Sequence, residues 1–359
     1  MSRVYNFSAG PATLPESVLK KVQEELLDWQ RLGYSVLEMS HRSAEFIGIA
    51  EETTNNLREL LKVPSHYKIL FMPGGGRGQF AAVPLNLLGK KKKANYVVTG
   101  TWSELATQEA ERYCQVVTST HSKENRYTTI ASQAQWTIDP EGAYLHYTDN
   151  ETIHGLEFPT PPASHGLPLI CDMSSNILSR PIDVSQFAII YACTQKNMGS
   201  AGITVAIVRE DVLDRYLPFT PSVLCYKEFA ENESMPNTPP TFNWYLTGLV
   251  VQWVMAEGGL EVMHQRAQEK SRLLYQYIDN SEIFDNNVDP HYRSRMNVVF
   301  TLPTEALTEK FLKEAKKEGL TNLKGHRVLG GIRASLYNAQ PKAGVVALIE
   351  FMRHFEKIH

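Results

Sequence analysis

Cysteine is scarce in this chain of 359 residues, and Cys114, Cys171, Cys193 and Cys225 never approach the C-x-x-C spacing of a zinc or redox site. Reduced, mostly buried thiols and no bound metal are the expectation. Positive charge is not in excess either: 36 Lys and Arg face 39 Asp and Glu, a net charge of -3, so no basic face is offered to nucleic acid. Long apolar runs are missing. The stretch from Leu249 to Ala256 is far too short to span a bilayer, and Met1 to Phe7 lacks the apolar segment of a secretory signal, so no membrane contact and a cytoplasmic location are expected. There is no internal repeat or low-complexity segment. With 359 residues the chain exceeds the roughly 250 to 300 that one hydrophobic core supports, which predicts one large and one small domain.

The pattern of the chain is alternation. Thr13-Leu14-Pro15-Glu16 has the form of a capping box, and Val18, Leu19, Val22, Leu26 and Trp29 follow at helical spacing until Gly33, predicting a long amphipathic helix. Strand-like runs at 68–72, 96–99, 143–148, 167–172, 188–194 and 203–208 alternate with helical patterns at 79–88 and 103–113. This order means an α/β fold with a mainly parallel sheet. Thr194 and Ile203 are too close for a parallel crossover, so one strand must run antiparallel. Two helices meeting at Gly258-Gly259 mark a hinge. A strand at 297–301, a helix at 304–318, a strand at 331–335 and a last helix from Lys342 read as a small α+β domain. The domain boundaries expected are 16–258 for the large domain, with 1–15 and 259–359 forming the small one. Lys90 to Lys93 form a basic run that reads most simply as a solvated loop.

Three strand ends carry candidate chemistry. The run Ile189-Ile190-Tyr191-Ala192-Cys193-Thr194-Gln195 stops on Lys196 before a glycine-containing loop. A lysine at the end of a buried strand is costly unless its amine is deprotonated, paired or covalently bonded, which makes Lys196 a candidate nucleophile; a solvated turn lysine is the alternative. Pro73-Gly74-Gly75-Gly76-Arg77-Gly78-Gln79 leaves a strand and opens a helix, where free N–H groups and the helix dipole favour a phosphate, although a tight turn would look alike. The spacing matches neither G-x-x-x-x-G-K-[ST] nor G-x-G-x-x-G, which counts against an NTPase and a dinucleotide enzyme. Leu169-Ile170-Cys171 ends on Asp172, a group that could instead cap a helix. Ligands of open α/β sheets gather at the carboxyl ends of strands. A lysine, a carboxylate and a phosphate cradle on that rim suggest pyridoxal phosphate. Trp102, after another strand, could stack on a planar cofactor or simply pack in the core. His41-Arg42, His326-Arg327 and Arg333 would suit a doubly anionic substrate, with surface ion pairs as the alternative.

Together with Asn6-Phe7-Ser8-Ala9-Gly10-Pro11, Asn150-Glu151-Thr152 and Asn237-Thr238-Pro239-Pro240-Thr241, these stretches resemble the class V pyridoxal-phosphate-dependent aminotransferases over essentially the whole chain. The resemblance implies pyridoxal-phosphate fold type I, a large domain on a mainly parallel seven-stranded sheet plus a small α+β domain. It also implies pyridoxal 5'-phosphate as cofactor. The activity implied is transfer of the amino group of L-glutamate to 3-phosphohydroxypyruvate, giving O-phospho-L-serine and 2-oxoglutarate in serine biosynthesis, and formation of 4-phosphohydroxy-L-threonine in vitamin B6 biosynthesis is the further implication. Lys196 would hold the cofactor and act as base, Asp172 would pair with its ring nitrogen, Trp102 would stack on it and Thr152 would contact its hydroxyl side. Gly76, Arg77 and Gln195 would bind its phosphate, with Asn237 and Thr238 arriving from the partner of a homodimer with shared active sites. Arg42 and Arg333 would take substrate carboxylates, His41, His326 and Arg327 the phosphate or distal anion, and Ala9 would touch substrate only through its backbone. Cys193, Ser200 and Pro236 depart from the family pattern.

Two other readings compete. A related class V enzyme would act on alanine, serine or glyoxylate, or as a cysteine desulfurase, which needs a reactive cysteine on a mobile loop. A noncatalytic binding protein would keep the fold but has no reason to keep both Lys196 and Asp172.

Overall fold

Short runs rich in β-branched, aromatic and aliphatic residues form a central sheet from β1 (Tyr67–Pro73), β2 (Lys93–Val98), β3 (Gln115–His121), β4 (Leu145–Thr148), β5 (Leu169–Asp172), β6 (Ile189–Cys193) and β7 (Ile203–Arg209). The structure, a computed structural model, describes residues 3–359. The seven strands lie in the order β1-β7-β6-β5-β4-β2-β3. β7 is antiparallel to both neighbours and the remaining pairs are parallel, as the short Thr194 to Ile203 connection demands. β3 was not expected from the sequence. It is one of the two edge strands, with Gln115 and Thr118 exposed, and so lacks the continuous apolar run of the buried strands.

Apolar clusters cover both faces. On one, Phe80, Val83 and Leu87 of helix Gly76–Leu87 and Ala106 of helix Thr101–Ala110 pack with Tyr96, Ile170 and Tyr191. On the other, helix Thr241–Ala256 lies beside helix Ala44–Leu60, with Trp244 stacked on Phe71 at 4.1 Å and edge-on to Phe46. Each such large buried side chain contributes about 1.5–3 kcal/mol. A third cluster gathers Phe7, Leu274, Phe300, Phe311, Leu348 and Phe355 around the antiparallel pair β8 (Asn297–Phe300) and β9 (Ile332–Ser335). The N-terminal arm joins it because Tyr5 and Asn6 pair in parallel with Leu320 and Thr321. No helix among the described residues is long and apolar enough to cross a membrane.

The N-terminal helix corrects the sequence reading. It spans only Glu16–Glu25, Pro15 stands at its N-cap without a side-chain bond, and the Thr13 hydroxyl accepts from Arg3 instead of capping. The chain then turns because the Asp28 carboxylate accepts the Gly33 N–H at 2.6 Å, with Gln30 and Arg31 in the left-handed region. Local turn chemistry overrides the helical spacing. The capping box lies further on, at Ser35 and Glu38, and Ser43 caps the long helix Ala44–Leu60. The basic run is likewise less free than a solvated loop: Lys91 donates to the Gly142 carbonyl, and Lys93 opens β2 and pairs with Asp139 at 2.9 Å. It lies at the amino end of β2, the rim opposite the carboxyl ends.

Candidate active site

The parallel strands deliver their polar termini to one rim. β1 runs into Gly74-Gly75, and helix Gly76–Leu87 begins there without a side-chain cap, leaving the Gly76 and Arg77 N–H groups free for a ligand. β4 leads to Thr148 and Thr152, β5 ends on Asp172, and β6 leads into Gln195 and Lys196. With Trp102, Gly76 and Arg77, these residues line a cavity of about 330 Å³. The Lys196 loop is closed beneath by the Thr194 hydroxyl, which donates to the carbonyls of Ser200 and Ile203. Gly202 (φ 128°) is required in this loop, since a Cβ there would approach Asn243 Nδ2 to 2.8 Å.

Lys196 Nζ donates to Thr152 Oγ1 at 2.8 Å and Ser175 Oγ at 2.9 Å. Burial works against its charged form, but Tyr337, Cys193 and Asp172 favour it, and the pKa lies above the ordinary lysine value. The amine is thus held by two hydroxyl acceptors, with no carboxylate at ion-pair distance among the described residues. Burial drives the Asp172 pKa up, against the pull of Lys196 and of the Ser174 N–H, which donates to Oδ1 at 2.9 Å.

Trp102 is held from below. The buried Glu151 carboxylate accepts the Trp102 N–H at 3.0 Å, the Ser103 N–H at 2.8 Å and the Ser103 hydroxyl at 2.7 Å, at the start of helix Thr101–Ala110. A side chain at Gly100 would collide with this carboxyl. Burial raises the Glu151 pKa to about 7. Trp102 Nε1 and Thr148 Oγ1 are buried without a partner on the cavity wall.

The anion-binding candidates divide. Arg333, on β9, places Nη1 3.4 Å from the Thr152 carbonyl and has no acidic partner among the described residues. Burial, then the nearby Arg333 and Arg327, lowers the His326 pKa, so two guanidinium groups share one region with a neutral imidazole. Such a cluster without a carboxylate is costly until an anion enters. His41 has a buried, unpartnered Nε2, while Arg42 is exposed. Asn237 and Thr238 are exposed, and neither they nor Ala9, His41, Arg42, His326, Arg327 and Arg333 line this cavity. The Ala9 carbonyl is already taken by the Tyr337 hydroxyl at 2.9 Å.

Sequence reasoning passed over Glu151, Ser174, Ser175, Asn197 and Tyr337. The first three sit directly beside Thr152 and Asp172, so their position after a strand end was the available signal. Asn197 joins the lysine loop to the Ser175 carbonyl and the Asn338 N–H, contacts that no local pattern reveals. No cysteine has a desulfurase setting: burial pushes Cys114 to about 11 and Cys171 above the ordinary thiol value, and Cys193 is fixed at the end of β6.

A lysine and a carboxylate at the carboxyl rim, beside an uncapped helix start, are the features of a pyridoxal-phosphate enzyme, and the chain belongs to the aminotransferase class-V family, whose model matches residues 4–348. A phosphoserine aminotransferase of Coxiella burnetii (strain CbuK_Q154) is 57% identical over 360 residues, covering 100% of both chains. Among solved structures, the phosphoserine aminotransferase from Bacillus circulans subsp. alkalophilus superposes with a TM-score of 0.97 at 43% identity, covering 99% of each chain. The pyridoxal-phosphate-bound phosphoserine aminotransferase from Trichomonas vaginalis gives 0.95 at 40% identity, covering 98% of this chain and 100% of that one.

The residues present fit that cofactor. The uncapped helix start suits its phosphate, Trp102 offers a ring and an unpartnered N–H, Asp172 a carboxylate, and Lys196 a primary amine within one cavity.

Proposed function

We propose that this chain catalyses reversible transfer of the amino group of L-glutamate to 3-phosphohydroxypyruvate, giving O-phospho-L-serine and 2-oxoglutarate, a step of serine biosynthesis. The same chemistry on a phosphorylated hydroxythreonine precursor would serve vitamin B6 biosynthesis. The observation that carries the reading is the single cavity that joins Lys196, Asp172, Trp102 and the start of helix Gly76–Leu87. The cofactor is pyridoxal 5'-phosphate.

When bound, the cofactor supplies an aldehyde that links to amines and a protonated ring that accepts electrons released at the substrate Cα. Lys196 would hold it, and its freed amine would remove and return the substrate Cα proton. Thr152 and Ser175, which hold Nζ in the free protein, orient that amine. Asp172 keeps the proton on the ring nitrogen. Gly76, Arg77 and Gln195 bind the phosphate, and Trp102, fixed by Glu151, covers the ring. Arg333 takes the α-carboxylate, with Arg42 a second carboxylate ligand, while His41, His326 and Arg327 take the phosphate or distal carboxylate.

In this reading residues 16–258 form the large domain, and 1–15 with 259–359 the small one, supported by the separate apolar cluster that unites Phe7 with Phe311 and Phe355. A cytoplasmic homodimer completes the site. The exposed Leu27 and Leu37 on the N-terminal segment support a covered face there, and the exposed Asn237 and Thr238, away from their own cavity, support donation to a partner's phosphate site.

The test is a coupled assay of the purified protein with glutamate and a panel of phosphorylated and unphosphorylated 2-oxo acids. Ping-pong kinetics with a strong preference for 3-phosphohydroxypyruvate are expected. Preference for pyruvate or glyoxylate would move the chain to another class V activity.

A further inference from the structure

Beside Asp172, the sheet contains polar groups that the mechanism above does not use. Asp172 on β5 is in direct register with Tyr191 on β6 and with Thr148 on β4. Side chains two residues apart share a face, so His146, two before Thr148, lies on the same face as Asp172 and Tyr191. Both rings are completely buried, and His146 Nε2 is 2.9 Å from the Tyr191 hydroxyl. Tyr96 stacks on the His146 ring at 4.9 Å, and Phe80 meets Tyr191 edge-on, so neither ring has room to turn away.

We infer that His146 and Tyr191 are positioning residues: Nε2–H of His146 donates to the Tyr191 oxygen, and the Tyr191 hydroxyl donates in turn to Asp172, holding that carboxylate ionised and aimed at the cofactor ring. The inference rests on the reading of Asp172 given above.

The hydrogen directions follow from what is left unpaired. His146 Nδ1 is buried and has no partner. A hydrogen on Nδ1 would be an orphaned buried donor, which folded proteins avoid more strictly than a bare lone pair. The hydrogen of the neutral ring therefore sits on Nε2 and engages Tyr191. The Tyr191 oxygen then acts as acceptor toward His146, and its own hydrogen is free for the neighbour in register. The Tyr191 side chain does favour the charged form of Asp172, as do Lys196 and Ser174. Burial keeps the imidazole neutral, with its pKa near 3, so the ring holds one tautomer through the working pH range. The other titratable groups facing Tyr191 are Tyr96, Tyr226 and Cys171, all held neutral by burial, and the buried Glu151 is coupled to Asp172 by charge. Asp172 is thus the anion toward which the chain is polarised.

The holoprotein provides three readouts. Nitrogen-15 NMR of wild-type His146 is expected to show the Nε2–H tautomer, and an Nδ1–H tautomer overturns the inference without any variant. Tyr191→Phe, which keeps the ring, is expected to raise the cofactor dissociation constant roughly tenfold, the weight of one hydrogen bond to a charged group. The loss should grow as pH falls from about 8 to about 6, because Asp172 without its donor protonates at higher pH. His146→Gln, whose amide N–H replaces Nε2–H, should stay close to wild type, whereas His146→Leu should follow Tyr191→Phe. A dissociation constant and pH profile unchanged in Tyr191→Phe overturn the chain. Asp172→Asn separates the two readings: if it leaves turnover intact, the role of Asp172 itself is wrong, whereas impaired Asp172→Asn beside an unaltered Tyr191→Phe refutes only the relay.

Discussion

Arg333 and Arg327 carry the same guanidinium into different surroundings, and the proposed function gives each a different anion on that ground. Arg333 is fixed on β9 against the Thr152 carbonyl, close to where Lys196 must work. Arg327 is exposed on the loop that follows Gly325, with His326 beside it, and suits the group that distinguishes one substrate from another. Arg327→Ala is therefore expected to lower kcat/KM for 3-phosphohydroxypyruvate by roughly tenfold to a hundredfold, for glutamate by less, and for an unphosphorylated 2-oxo acid hardly at all. Arg333→Ala should penalise all three alike. Steady-state kinetics with the three substrates check the division, and equal losses in Arg327→Ala would refute it. At this scale the sequence was most informative where a charged residue ends an apolar run, as at Asp172 and Lys196. Ser175 and Glu151 escaped because a serine or a glutamate beside a strand end has many ordinary explanations, and only the fold shows that one accepts from Nζ while the other holds the Trp102 backbone.

Elements hold the site together through contacts that no local pattern announces. Lys270, buried on helix Gly259–Ile278, donates to the carbonyls of Leu336, Tyr337 and Gln340 at 2.8 to 2.9 Å. Burial pulls its pKa down to about 7, and three acceptors for three ammonium hydrogens make the charge tolerable. The segment it clips leaves β9 and touches both the Ala9 carbonyl and Asn197, next to Lys196. Lys270→Met should cost about 3 kcal/mol of stability, because carbonyls lose a charged donor, and should weaken cofactor binding. Urea unfolding and a cofactor titration measure both; a variant as stable as wild type would remove Lys270 from this role. The buried strands and the antiparallel β7 were legible because composition and loop length constrain them directly. The helix expected to run from Thr13 toward Gly33 was not, since its turn depends on the Asp28 carboxylate meeting the Gly33 N–H. Edge strand β3 escaped because its half-exposed, half-polar pattern resembles a loop.

The whole molecule is expected to work as a pair. Asn237 and Thr238 are exposed and do not line their own chain's cavity, and in the proposed homodimer a twofold arrangement would let each chain complete the other's site. An inactive Lys196→Ala chain mixed equally with an inactive Asn237→Ala, Thr238→Ala chain should regain roughly a quarter of wild-type activity after subunit exchange, since half the dimers are hybrids with one intact site each. No recovery despite proven exchange would contradict shared sites. The claim on which the account turns is that Lys196, at the end of β6, is the residue that carries the cofactor. Borohydride reduction of the holoprotein fixes the carbon–nitrogen link between lysine and cofactor, and peptide mapping then reads its position. The account predicts the pyridoxyl label on Lys196 alone; a label on any other lysine, or none, would contradict it.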